Sequence, residues 1–87
     1  MYKVEIKLKN ETGLHARPAS LFVKEASKYS SDITIIKDGK GFTGKSIMGI
    51  LSMGAVKGDM LIIEGKGEDE IKAVDALKAL IESNFGE

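Results

Sequence analysis

The start of the chain fixes what the rest must provide. Tyr2, Val4, Ile6 and Leu8 alternate with Lys3, Glu5, Lys7 and Lys9, a period of two that gives a strand one apolar and one charged face. A strand of that kind suits an antiparallel sheet covered on one side only. At 87 residues the cover has to come from within one domain, residues 1–87, with a single modest core. Helical periodicity supplies it. From Ala16 onward, Ala19, Phe22, Val23 and Ala26 follow a stripe that reaches Tyr29 before the polar cluster Ser30, Ser31 and Asp32. DITIIK, Asp32 to Lys37, reads as a second strand, Asp38-Gly39 as a hairpin turn, and Lys40 to Thr43 as a third strand. Ser46 can cap a short helix that Gly54 ends. Met60 to Lys66 reads as a last strand, and Ile71, Val74, Leu77 and Ile81 stripe a final helix. The order is β-α-β-β-α-β-α.

Composition removes several functions. With 13 basic and 13 acidic side chains there is no field of one sign, so no dedicated nucleic-acid or anionic-membrane surface is expected. The absence of Cys excludes disulfides, thiolate metal sites and thiol catalysis, and one His leaves no plausible zinc constellation, so neither metal nor cofactor is expected. The N-terminal stretch has no apolar run of signal-peptide or membrane-spanning length, which makes a cytoplasmic protein without membrane insertion the expectation.

The stretch TGLHARPAS, Thr12 to Ser20, gathers the only His and the only Pro of the chain around an Arg. If a helix begins near Ala16, Pro18 falls in its first turn, where a missing N–H costs nothing. His15 then lies at the cap, beside exposed N–H groups and the positive end of the helix dipole. A neutral, nucleophilic ring is favoured there, and an anion attached to it is welcomed by the same N–H groups and by Arg17. The position suits a histidine that carries an anion. An exposed histidine closing a helix end, with Arg17 in solvent, fits the same residues.

GKGFTGKS, Gly39 to Ser46, matches the phosphate-loop pattern, and Met60 to Glu64 could imitate its acidic strand. Context opposes that reading, because Asp38-Gly39 turns the chain back and places Gly41 and Phe42 in a strand. The short helix that follows is apolar over too wide an arc. At 100° per residue Ile50 and Met53 fall on one side while Ile47, Met48 and Leu51 fall on another. One set can fill the core and the other can form a docking patch; a helix buried on all sides is the alternative. Ser46 has a plain role as its N-cap.

TGLHARPAS and KSIMGILSMGA, Lys45 to Ala55, resemble the two signature segments of the HPr family, the histidine-containing phosphocarriers of the bacterial phosphoenolpyruvate-dependent sugar phosphotransferase system. The resemblance covers essentially the whole chain. It implies an α+β open-faced sandwich, a four-stranded antiparallel sheet with three helices on one face. It implies further that the chain is a carrier rather than an enzyme. His15 would accept a phosphoryl group on Nδ1 from phosphorylated enzyme I and pass it to enzyme IIA domains of sugar permeases, with Arg17 beside the group. Ser46 matches the serine phosphorylated in low-GC Gram-positive bacteria by HPr kinase/phosphorylase, a form that recruits a catabolite-repression transcription factor. A relative that works only in regulation lacks the active histidine, which this chain keeps. Thr12, Ala16, Ser20, Lys24, Lys45, Ile47, Met48 and Leu51 are the expected partner-binding residues. Gly41 to Gly44 is richer in glycine than the family's pattern before the serine. A nucleotide-binding enzyme, which would lose ATP hydrolysis on changing Lys45, and a metabolite-sensing α+β module, which a small ligand would stabilise, are the competing classes; neither needs His15.

Overall fold

The structure, a computed structural model, describes residues 1–86. In chain order its elements are β1 (Tyr2–Lys7), α1 (Ala16–Ala26), β2 (Asp32–Lys37), β3 (Lys40–Thr43), α2 (Ile47–Ser52), β4 (Met60–Lys66) and α3 (Glu70–Glu82), followed by a 3₁₀ turn at Asn84–Gly86. The strands form one antiparallel sheet in the order β1-β4-β2-β3. Register sorts the faces. Val4 pairs with Ile63, Ile63 with Ile35, and Ile35 with Phe42, which puts one apolar row across the whole sheet. The neighbouring row, Lys3, Glu64, Thr34 and Thr43, lies on the opposite face and holds a Lys3 to Glu64 ion pair at 3.7 Å. The alternation of the first strand thus extends across the sheet, interrupted on the open face by Ile62 and Ile36, which pair beside Glu5. The architecture is an open-faced α+β sandwich, with three helices on the apolar side.

The core between the layers is built from Ile6, Ile33, Ile35, Leu61 and Ile63 of the sheet. Phe22 of α1, Ile50 of α2 and Val74, Leu77 and Ile81 of α3 pack on them. Pro18, third residue of α1, is buried with Ala19, Phe22 and Ala26; proline at that position removes a donor the helix does not use. Asp38 (φ 53°) and Gly39 (φ 78°) form the hairpin turn, both left-handed as a two-residue connection requires. Gly41 pairs with Ile36 and Phe42 with Ile35, so the phosphate-loop pattern is spread over a strand and forms no loop. The glycine at position 44 meets a packing demand: its N–H donates to the Ile33 carbonyl at 2.8 Å, and a Cβ there would come within 2.6 Å of the Ile33 side chain.

One reading is corrected, and one element is added. Ile71 is 58% exposed, and the buried stripe of α3 is Ala73, Val74, Leu77 and Ile81. On a wheel Ile71 lies about 100° from the centre of that stripe, at the margin of what a sheet can cover. The chain also carries an element the periodicity does not announce. Asn84 (φ 54°) and Phe85 (φ 58°) are left-handed, and this turn folds Phe85 back into the core at 4% exposure. Asparagine tolerates the left-handed region, but a phenylalanine following it there obeys no propensity rule.

Candidate functional site

The site begins where β1 ends. Leu8 is bonded to the loop before β4, donating to the Asp59 carbonyl at 2.9 Å and accepting from Gly58 N–H at 2.8 Å. The chain then turns. Gly13 N–H donates to the Asn10 carbonyl at 3.1 Å, and Asn10 Nδ2 donates to the Gly13 carbonyl at 2.6 Å. Gly13 adopts φ 66° and packs so closely that a Cβ would lie 2.5 Å from the Ala55 carbonyl oxygen; no side chain fits there. Leu14, buried, donates its N–H to the same Ala55 carbonyl at 3.1 Å.

His15 follows as the N-cap of α1, with extended backbone (φ −100°, ψ −164°) and no hydrogen bond from its side chain to the helix. Its carbonyl accepts from Ala19 N–H at 2.9 Å. Pro18 has no N–H, so the first-turn donors outside the helix's own ladder are those of Ala16 and Arg17. The imidazole is exposed and uncommitted to the cap beside two such donors. It opens on a cleft of ≈ 430 Å³ lined by Lys9, Asn10, Glu11, Thr12, His15, Arg17 and Asn84. Lys9 and Arg17 bring positive charge to this cleft, while Glu11 is paired with Lys57 at 2.6 Å. The arrangement offers a nucleophilic ring nitrogen, helix N–H groups for anionic oxygens and two cations.

Of the residues expected at the site, Thr12, His15 and Arg17 share this cleft. Ala16, Ser20 and Lys24 recur every four residues and form one exposed edge of α1. α2 packs beside α1 and runs against it: Leu14 is bonded to Ala55 after α2, and Lys45 Nζ before α2 donates to the Tyr29 carbonyl after α1 at 2.6 Å. The wheel reading of α2 holds for its extremes. Ile50 and Met53 are buried, while Ile47 and Met48 are exposed at 41% and 75%. Leu51, placed with the outward set, is half-buried and packs against the core. Ser46 is the N-cap of α2 and accepts from Gly49 N–H at 3.1 Å. Ser46 and Lys45 thus sit at the far end of α1 from His15. The helix between them rises about 16 Å over its 11 residues.

Lys9, Asn10, Glu11 and Asn84 also line the cleft and escaped the sequence reading. Asn10 had a signal, an asparagine three residues before a glycine, which is turn chemistry. Asn84 had one too, as an asparagine just past a helix end, a residue type that tolerates the left-handed region. Among the described residues no group of three or more His, Cys, Asp or Glu side chains is placed to hold a metal, and no helix is long and apolar enough to cross a membrane.

Known proteins resemble this chain in sequence and in fold. The family model PTS-HPr, described as the PTS HPr component phosphorylation site, matches residues 2–83. The HPr-like protein Crh of Halalkalibacterium halodurans is 50% identical over 80 residues, 92% of this chain and 93% of that one. The phosphocarrier protein HPr of Borreliella burgdorferi is 48% identical over 83 residues, 95% and 96% of the two chains. Among solved structures, HPr-C-His from Thermoanaerobacter tengcongensis superposes with a TM-score of 0.97 at 54% identity, covering 100% of this chain and 98% of that one. The exposed histidine at a helix cap thus stands in a sequence matched nearly end to end, and the chain belongs to the HPr family of phosphotransferase-system phosphocarriers.

Proposed function

We propose that this chain carries a phosphoryl group on His15, taking it from phosphorylated enzyme I and handing it to enzyme IIA domains, in the cytoplasm and without catalysing a reaction of its own. One observation carries the reading: the only imidazole of the chain is the N-cap of α1, exposed, not bonded to the helix it caps, and in one cleft with Arg17. A ring nitrogen, Nδ1 by the family's pattern, attacks phosphorus as the bond to the donor's leaving group breaks. Ala16 and Arg17 N–H groups, with the Arg17 guanidinium, face the oxygens without bonding the ring nitrogen. The N–P bond therefore stays labile enough to pass on, while charge stabilisation during in-line transfer comes mostly from the partner's site. Partners dock on the exposed edge of α1 and the outward side of α2, with Ile47 and Met48 as apolar contacts and Thr12, Ala16, Ser20, Lys24, Lys45 and Leu51 around them.

A regulatory role sits on the same chain, supported by the 50% identity to a Crh protein and by Ser46 capping a helix beside exposed Ile47 and Met48. Phosphorylation by an HPr kinase/phosphorylase would place charge where α2 tolerates it and would recruit a catabolite-repression transcription factor through Arg or Lys side chains.

The test is incubation with enzyme I and phosphoenolpyruvate followed by intact mass. One acid-labile, base-stable phosphoryl group per chain is expected, and none on His15→Ala. Uptake by His15→Ala, or none by the wild type, overturns the reading.

A further inference from the structure

Asn10 borders the His15 cleft yet is only 5% exposed. The orientation of its amide is dictated by its neighbour, because only the NH₂ end can face the Gly13 carbonyl, 2.6 Å away. With the return bond from Gly13 N–H to the Asn10 carbonyl at 3.1 Å, the two residues clasp each other and close the turn. Gly13 is held at φ 66°, Leu14 is fixed by Ala55, and the next residue is His15. The other end of the same amide is unsatisfied: Asn10 Oδ1 is buried and has no hydrogen-bond partner among the described residues, and the Oδ1 of Asn84, another residue of the cleft, is in the same condition. Buried orphan acceptors are rare and disfavoured. A serine hydroxyl can also close a turn of this kind and would leave no such oxygen behind.

We infer that Asn10 is a positioning residue for His15. Through the Gly13 carbonyl it sets the backbone from which the imidazole meets the phosphoryl group. This rests on the reading of His15 as the phosphoryl acceptor.

The experiment measures transfer from enzyme I and phosphoenolpyruvate to the full chain, resolving kcat from KM for the carrier, at a temperature where melting curves show each variant folded. Asn10→Asp keeps the shape and exchanges the donor facing Gly13 for an acceptor. It is expected to lower kcat about tenfold or more while KM stays within about twofold, since alignment is lost and the docking surface is untouched. Asn10→Ser, which retains a donor, is expected to recover kcat to within about threefold. If Asn10→Asp does not fold, Asn10→Ala against Asn10→Ser makes the same comparison, with Ala slow and Ser near the wild type. Wild-type kcat in folded Asn10→Asp, a loss confined to KM, or equal kcat for Ala and Ser overturns the positioning role while leaving His15 as acceptor. A wild-type chain that takes up no phosphoryl group overturns both.

Discussion

Asp69 is a carboxylate held by three donors from one short stretch. Its Oδ2 accepts from Ser30 N–H at 3.0 Å, and its Oδ1 accepts from Ser31 N–H at 3.0 Å and from the Ser31 hydroxyl. The Ser31 hydroxyl first, then the Ser30 N–H, lowers its pKa from 3.8 to about 2. Glu70 is lowered as well, by the N-terminal ammonium at 2.9 Å and by Gly67 N–H. Both groups bind protons more weakly folded than unfolded, so their stabilisation is complete above the ordinary carboxylate range and is lost as pH falls through the lowered values. The melting temperature is expected to decline between pH 3.8 and about 2, the window set by Asp69, and Asp69→Asn should flatten part of that decline in a calorimetric pH series. A pH-independent wild type contradicts it. Nothing in the sequence pairs Ser31 with a residue 38 positions away. His15 and Pro18 were legible because a helix start is written in adjacent residues, whereas Asn10 and Asn84 meet at one cleft only through the fold.

On the proposed function, α2 separates stability from recognition within six residues. Ile50 is fully buried in the core, so Ile50→Ala is expected to cost about 2–5 kcal/mol in chemical denaturation, as the lost burial and the cavity add. Met48, 75% exposed, should behave in the opposite way. Met48→Asp is expected to leave stability within about 0.5 kcal/mol and to weaken enzyme I and kinase binding by at least about 1 kcal/mol in calorimetric titration; unchanged binding to both would remove α2 from the docking surface. The wheel was informative here because a six-residue helix samples both of its faces. It failed at Leu51, which the wheel placed outward and which packs against the core, because in so short a helix the shape of the neighbouring layer decides burial; the stripe failed at Ile71, which lies at the margin of its apolar arc. The turn at Asn84 and Phe85 was illegible for another reason: its conformation is imposed by burying Phe85, which no local rule anticipates.

Across the molecule, Ser46 and His15 lie at opposite ends of α1, whose 11 residues rise about 16 Å, so on the proposed function a charge at Ser46 is expected to act on docking rather than directly on the imidazole. Ser46→Asp is expected to slow phosphorylation of His15 by enzyme I chiefly through a raised KM, with the melting temperature preserved because a helix N-terminus accepts negative charge. Equal initial rates, or a slowing that follows a loss of folding, would leave Ser46 as a cap alone. At this scale the sequence announced an open sheet under helices through one alternating strand, but not which strand is whose neighbour. The pairing matters in time as well as in space. β1 lies at the edge of the sheet and, among the described residues, pairs only with β4, so the earliest of these four strands to be synthesised waits for the latest. At about 5–20 residues per second, Val4 and Ile6 spend roughly 3–12 s without a partner strand before residue 66 is added. During that wait the hairpin of β2 and β3 is the only part of the sheet that can close. A nascent chain halted before Met60 lacks the strand that joins β1 to β2, so α1 and α2 have no completed sheet to rest on.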